Sequence, residues 1–273
     1  MSVQLHRLYL AASAAAVIWG AQCGSAAYGQ SQSAPVRPAD ESIPARPEKL
    51  SFPPLKYEPP EPSEFRTPLR SGPVAYIVPD RELPLVNIVV YVRTGKYLEP
   101  DGQDGLAELT GYLLARGGTQ SKTAEELEER LAFLAAHLDS GVSDTQGTVS
   151  LNLLSKDLDE GLAILRDVLC APRFQEDKIT LRKQQVLQAM KERNDDARSI
   201  EGREAGFLAF GEKFWANRYP TAASVQALAR ENLVEFHHKW FQPGNFVVAA
   251  SGDFDKKEMT EKLEKLFGDW PFQ

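Results

Sequence analysis

The stretch "GLAELTGYLLARGGT", residues 105–119, decides how this chain is read. It has the form of a helix, with Asp104 as N-cap and Gly117-Gly118 as a stop. A short polar side chain satisfies the first free amides of a helix, and glycine tolerates the left-handed turn that ends one. The stretch holds one carboxylate, Glu108, and no imidazole, thiol or serine hydroxyl, so it lacks the side chains that chemistry would require.

Working outward, "VAYIV" (74–78) and "LVNIVVYVRTG" (85–95) are β-rich runs that read as strands paired across the turn-like "PDRELP". Thr123 opens "TAEE", a capping box with Glu126, and Leu127, Leu131, Leu134 and Leu138 recur at helical spacing as one apolar stripe. "TVSLNLL" (148–154) alternates Val149, Leu151 and Leu153 with Ser150 and Asn152, the pattern of a strand with one covered face. Helical segments follow at "LDEGLAILRDVLC" and over about 175–196, where Ile179, Val186 and Met190 share a side. Two shorter helices are expected after Tyr219-Pro220, then a strand in "NFVVAASGDF". A last amphipathic helix in "DKKEMTEKLEKLF" turns Met259, Leu263 and Leu266 inward. Strands and helices mix without strict alternation. The predicted class is therefore α+β, a two-layer sandwich of a largely antiparallel mixed sheet with helices packed on one face.

At 273 residues and 42% hydrophobic content, the chain can bury a substantial core. A formal net charge of −7 with interspersed acids and bases argues against a nucleic-acid surface, which needs clustered Lys and Arg. Residues 1–29 read as an export signal: "MSVQLHR", then the apolar "LYLAASAAAVIWGA", too short and Ala-rich to span a bilayer, then small residues. Cleavage after Ala27 and after Gly29 both remain open. The mature chain is expected without a transmembrane segment, periplasmic or secreted. Gln22, before Cys23, argues against lipoprotein anchoring. Removing the signal leaves Cys170 as the remaining thiol, so no intrachain disulfide is expected. Residues 30–72 form a proline-rich tether whose Leu50, Phe52, Leu55, Tyr57 and Phe65 are expected to pack part of it on a single domain, 73–273.

The run "VRTGKYLEPDGQDGLAELTGYLLARGGTQSKTAEELEERL" resembles the active-site region of the insulinase/pitrilysin/processing-peptidase superfamily of zinc metallopeptidases. "LARENLVEFHHKWFQPGNFVVAASGDFDKKEMTEKLEKLFGDWP" is similar to the closing segment of that family's first domain. The resemblance implies an inverted motif, H-x-x-E-H, whose two imidazoles bind one zinc ion while the glutamate polarises the attacking water. A downstream helix supplies a third, glutamate ligand. The motif positions here hold Glu108, Gly111 and Tyr112, and the third-ligand position in "VLQAM" holds Ala189. The resemblance therefore implies a member without catalytic residues or bound zinc. Tyr112 is expected to fill part of the vacated space, and mid-helix Gly111, costly by about 0.5–1 kcal/mol, has no reason in helix propensity.

Other chemistry finds little support. His237 and His238 read as surface or interface residues, and His137 as a satisfied, partly buried one. Cys170 reads as a buried thiol at a helix end, and no G-x-S-x-G elbow is present. Family members often work in pairs, one subunit with zinc and one stripped of it. The chain is accordingly expected to be a non-catalytic subunit of an exported peptide-processing peptidase, partnered by a zinc-bearing homologue. In the family, substrate adds as a strand to an exposed sheet edge. The corresponding segment is "DSGVSD" (139–144), with Ser140, Gly141 and Val142 as candidate peptide contacts. The alternatives are a peptide-binding or scaffold protein with no protease partner, as in respiratory-complex relatives, and a divergent metallopeptidase active alone. Bacterial members usually carry a second homologous domain after the position of "FGDWP".

Overall fold

Six strands build one sheet in a computed structural model that describes residues 58–271 and the isolated positions 46, 48, 50, 52 and 54. The expected export signal, Cys23 and most of the tether lie outside the described residues; Leu50 and Phe52 are exposed. The strands are β1 (Arg66–Pro68), β2 (Val74–Pro79), β3 (Leu85–Val92), β4 (His137–Val142), β5 (Gly147–Leu154) and β6 (Phe246–Gly252). They lie in the order β1-β2-β6-β3-β5-β4, and every pair is antiparallel except β2 with β6.

Period-2 patterning sets the buried face. Val86, Ile88, Val90 and Val92 of β3 align with Leu153, Leu151, Val149 and Gly147 of β5, and all of these residues are buried. Onto this face pack α1 (Leu106–Arg116) against β4, α3 (Leu158–Cys170) against β5 and α8 (Lys256–Phe267) against β2. Between these come α2 (Ala124–Phe133), α4 (Glu176–Glu192), α5 (Ala197–Phe210), α6 (Ala222–Ala227) and α7 (Arg230–Trp240). The architecture is the expected sandwich, with Met259, Leu263 and Leu266 of α8 buried as the amphipathic spacing requires.

Several local expectations are corrected. β2 and β3 do not pair, because β6 lies between them. The link between them crosses the end of β6, where Asp80 N–H donates to Gly252 O (2.7 Å) and Asp253 N–H to Leu85 O (2.9 Å). Gly252, at φ +130°, makes the crossing possible, since a Cβ there would collide with the Leu85 carbonyl. The stripe Leu127, Leu131, Leu134, Leu138 is not one helix face: α2 ends at Phe133, Leu134 caps it, and Leu138 belongs to β4. All four still line the same core.

One compact unit begins at Pro59. Residues 62–65 form a helical turn and β1 follows as an edge strand, a place where proline is tolerated. The backbone amides of Arg70 and Ser71 donate to the Glu264 carboxylate of α8 (2.7 and 3.1 Å), fixing this segment to the helix layer. Helix α5 was not foreseen from the periodicity because none of its residues is buried, so it has no core-facing stripe to read.

Candidate functional site

Helix α1 and the edge strand β4 carry the motif positions and the expected peptide contacts. The N-terminus of α1 is held from a distance. Glu99 Oε1 accepts from Gly105 N–H (3.1 Å) and Ala107 N–H (2.8 Å), so a carboxylate seven residues before the helix supplies the capping oxygen. Asp104, expected as the cap, instead pairs with Arg218 Nη2 at 2.8 Å, while Gly105 occupies the N-cap position at φ +98°. Burial raises the Glu99 carboxyl above its ordinary range, opposed by the two amide hydrogen bonds.

Gly111 has a structural reason that helix propensity concealed. A Cβ there would lie 2.6 Å from the Gly141 carbonyl carbon and 2.8 Å from Val142 Cγ2, so only glycine lets α1 approach β4 this closely. The contact is sealed by Ser140. Its hydroxyl donates to Gly111 O (2.6 Å) and accepts from Ala115 N–H (2.9 Å), the two groups that a helix would pair with each other.

On the outward side of the same helix, a guanidinium stands among the degenerate motif residues. Arg182, on α4, places its Cζ 3.9 Å from the centre of the Tyr112 ring and its Nη2 3.0 Å from Glu108 Oε1. Arg116 covers Tyr112 as well (4.6 Å) and pairs with Asp139 of β4 (2.6 Å). Tyr112 is thus a cation-binding ring between two guanidinium groups. Ala189, the residue expected at the third-ligand position, is exposed on α4.

A groove of about 480 Å³ opens beside Tyr112, between α1, α2, α4 and the start of β4. Its charged lining consists of Arg116, Lys178, Arg182 and Glu128, with His137 at the strand end.

Among the expected peptide contacts, Ser140 is buried and its side chain is committed to α1. Val142 is buried beneath Gly111, and a Cβ at Gly141 would meet nothing within 4 Å, so that position faces open space. What β4 offers outward is its backbone edge: it is the last strand of the sheet, with no strand pairing on its far side among the described residues. His137, expected to be partly buried, is exposed, because the chain leaves α2 before reaching it and it opens the edge strand. His237, expected at the surface, is fully buried on α7, with Nε2 donating to Leu169 O at 2.9 Å and its ring stacked on Phe241. Burial pushes its pKa down to about 4. His238 is exposed, as expected. Cys170 is half-buried and free, its thiol pKa raised by burial.

The donor set does not fit a zinc ion. A structural or catalytic site needs three or four protein ligands. Here the motif offers the single carboxylate Glu108, already neutralised by Arg182, beside a ring face covered by cations. Among the described residues, no group of three His, Cys, Asp or Glu side chains is placed to share an ion.

The sequence reading passed over Arg182, Arg116 and Glu99. For Arg182 a signal existed: it falls at i+3 from Ile179 and i−4 from Val186, a charge inside an otherwise apolar stripe. Glu99 had none, since its role depends on the path of the chain between residues 99 and 105.

Comparison with known proteins agrees with this geometry. The sequence model of the insulinase family (peptidase family M16) matches residues 77–204, and that of the peptidase M16 inactive domain matches residues 227–273. A probable mitochondrial-processing peptidase subunit beta from Arabidopsis thaliana is 25% identical over 186 residues, covering 65% of this chain and 34% of its own length. The peptidase M16 inactive domain structure from Pseudomonas fluorescens superposes with a TM-score of 0.70 at 20% identity, covering 76% of this chain and 51% of that one. The periplasmic protease PqqL from Escherichia coli gives a TM-score of 0.65 at 19% identity, covering 75% and 24%. The chain thus spans about a third of the curated relative and about half of the first of these structures. The two family models together cover most of the compact unit, and the chain belongs to the insulinase family of metallopeptidases, peptidase family M16.

Proposed function

We propose that the chain is a non-catalytic member of this family that works beside a zinc-bearing homologue, exported from the cytoplasm, and that it contributes a peptide-binding surface to the pair. The observation that carries this reading is the Arg182–Glu108–Tyr112 assembly. The positions that would hold the two imidazoles carry an acid and an aromatic ring, both engaged by the Arg182 guanidinium from α4, and the water-polarising position is Gly111. Such a set does not ionise a water molecule as a zinc ion does.

Peptide binding needs neither. An extended peptide adds to a sheet edge through main-chain hydrogen bonds, and β4 is a terminal strand whose inward side chains are anchored by α1. The Ser140 clasp and the close approach at Gly111 hold that edge rigid, which lowers the entropic cost of binding.

The experiment is affinity capture of the full chain from its native cell envelope, with metal content and peptidase activity measured on the chain alone and on the captured complex. The expected result is no zinc and no hydrolysis by the chain alone, and a zinc-bearing homologue in the complex whose activity rises when this chain is added. Stoichiometric zinc and hydrolysis by the isolated chain would refute the reading. Peptide binding without activity in any pairing would replace it with a scaffold role.

A further inference from the structure

The groove beside Tyr112 has an unbalanced wall. Among the described residues, Arg116, Lys178 and Arg182 line it against one acid, Glu128. Each cation has an acidic neighbour, Asp139, Glu125 and Glu108 respectively, but none of these three acids lines the groove. Their side chains are 50–61% exposed, so solvent weakens these pairs and leaves the cations able to exchange partners. Arg182 Nε is buried and has no hydrogen-bond partner among the described residues, so its planar fork is not fully satisfied by the fold. Leu138 and His137 of β4 line the same groove, so the cationic wall and the strand edge belong to one cavity, of about 480 Å³.

We propose that this groove is a carboxylate-binding site, whose ligand is an acidic side chain or the free C-terminus of an extended peptide laid along the outer edge of β4. The inference rests on the peptide-binding reading above and names the substrate class that reading leaves open. A carboxylate entering between Arg182 and Lys178 pairs with the guanidinium of the one and the ammonium of the other, both in the groove lining. Charge-assisted contacts of this kind are shorter and about twice as strong as neutral ones. The apolar side chains of Leu131 and Leu138 in the lining suit an aliphatic residue next to the acid. Because the cations are a guanidinium and an ammonium, the contact is held by charge-assisted hydrogen bonds.

The test is fluorescence polarisation of the purified full chain with labelled eight-residue peptides of Val, Ala and Ser carrying one Glu. Matched forms carry Gln for Glu, a C-terminal amide for the free acid, both changes, or N-methyl groups on alternate residues. Losing the carboxylate that docks is expected to weaken binding about tenfold or more, and whichever form does so identifies the source. Arg182→Gln and Lys178→Gln should erase that discrimination. Glu128→Gln should tighten binding several-fold, a gain that misfolding cannot produce. Equal binding of charged and neutral peptides, or discrimination that survives Arg182→Gln, overturns the proposal. If N-methylation abolishes binding while charge has no effect, the carboxylate site fails and strand addition stands. If charge matters and N-methylation does not, strand addition fails and the carboxylate site stands. If none of the peptides binds, both fall.

Discussion

The guanidinium of Arg182 lies 3.9 Å from the centre of the Tyr112 ring and 3.0 Å from a carboxylate oxygen of Glu108. An organic cation is held here by an acid and an aromatic face, at positions where the family resemblance implies metal ligands. Tyr112 does more than fill space: its π-face offsets part of the cost of bringing a second guanidinium, that of Arg116 on α1, near that of Arg182 on α4.

The coupling of Arg182 to Tyr112 should be measurable. In a double-mutant cycle with Arg182→Met and Tyr112→Leu, the interaction term is expected at about 0.5–1 kcal/mol by urea unfolding, as for a partly exposed cation–π pair. Tyr112→Phe keeps the ring face and should be nearly neutral. A coupling of zero would mean that the stacking contributes nothing.

Rebuilding the zinc motif should fail for a packing reason. Gly111→Ala gains up to about 1 kcal/mol in helix propensity, yet it drives a methyl group into the backbone of β4, and overpacking of that kind costs about 1–3 kcal/mol. The expected net effect is a loss of stability, seen as a lower urea midpoint. The triple variant Glu108→His, Gly111→Glu, Tyr112→His should unfold or stay metal-free by calorimetric zinc titration. Zinc binding to a folded triple variant would show that β4 yields more easily than the geometry allows.

Ser140→Ala removes the hydroxyl that bridges Gly111 O and Ala115 N–H. Since these two groups can then bond to each other, the cost should sit near the low end for a lost buried hydrogen bond, about 1 kcal/mol. Faster hydrogen exchange of the Ala115 amide should accompany it. An unchanged exchange rate would indicate that the helix bond is already closed in the native protein.

His237 gives the fold a pH dependence. Its pKa is pushed from 6.5 down to about 4, chiefly by burial, so the native state disfavours the charged ring. Above pH 6.5 both native and unfolded states hold it neutral and it contributes no slope. As pH falls from 6.5 towards 4, the unfolded chain takes up the proton first and stability declines, levelling off below about 4. The full loss is about 3 kcal/mol at about 1.4 kcal/mol per pKa unit. Chemical denaturation across this window should show the decline, and His237→Gln should flatten it. A wild-type slope that survives this substitution would assign the effect to other groups.

Most of the layer architecture was legible in the sequence because burial leaves a periodic imprint. The alternation in "TVSLNLL" and the spacing of Met259, Leu263 and Leu266 each state a face, and those faces were found buried. The capping box at Thr123 and Glu126 was equally legible, since both partners lie within one turn. What the chain order could not state was which strands meet. β6, far along the chain, enters between β2 and β3, a choice made by long-range pairing that local turn signals do not encode. The buried state of His237, the cap supplied by Glu99 and the seat of Arg182 against Tyr112 likewise depend on residues 8 to 74 positions apart meeting in space. Sequence periodicity reports which side of an element avoids water; only the folded contacts decide what each polar group finds when it gets there.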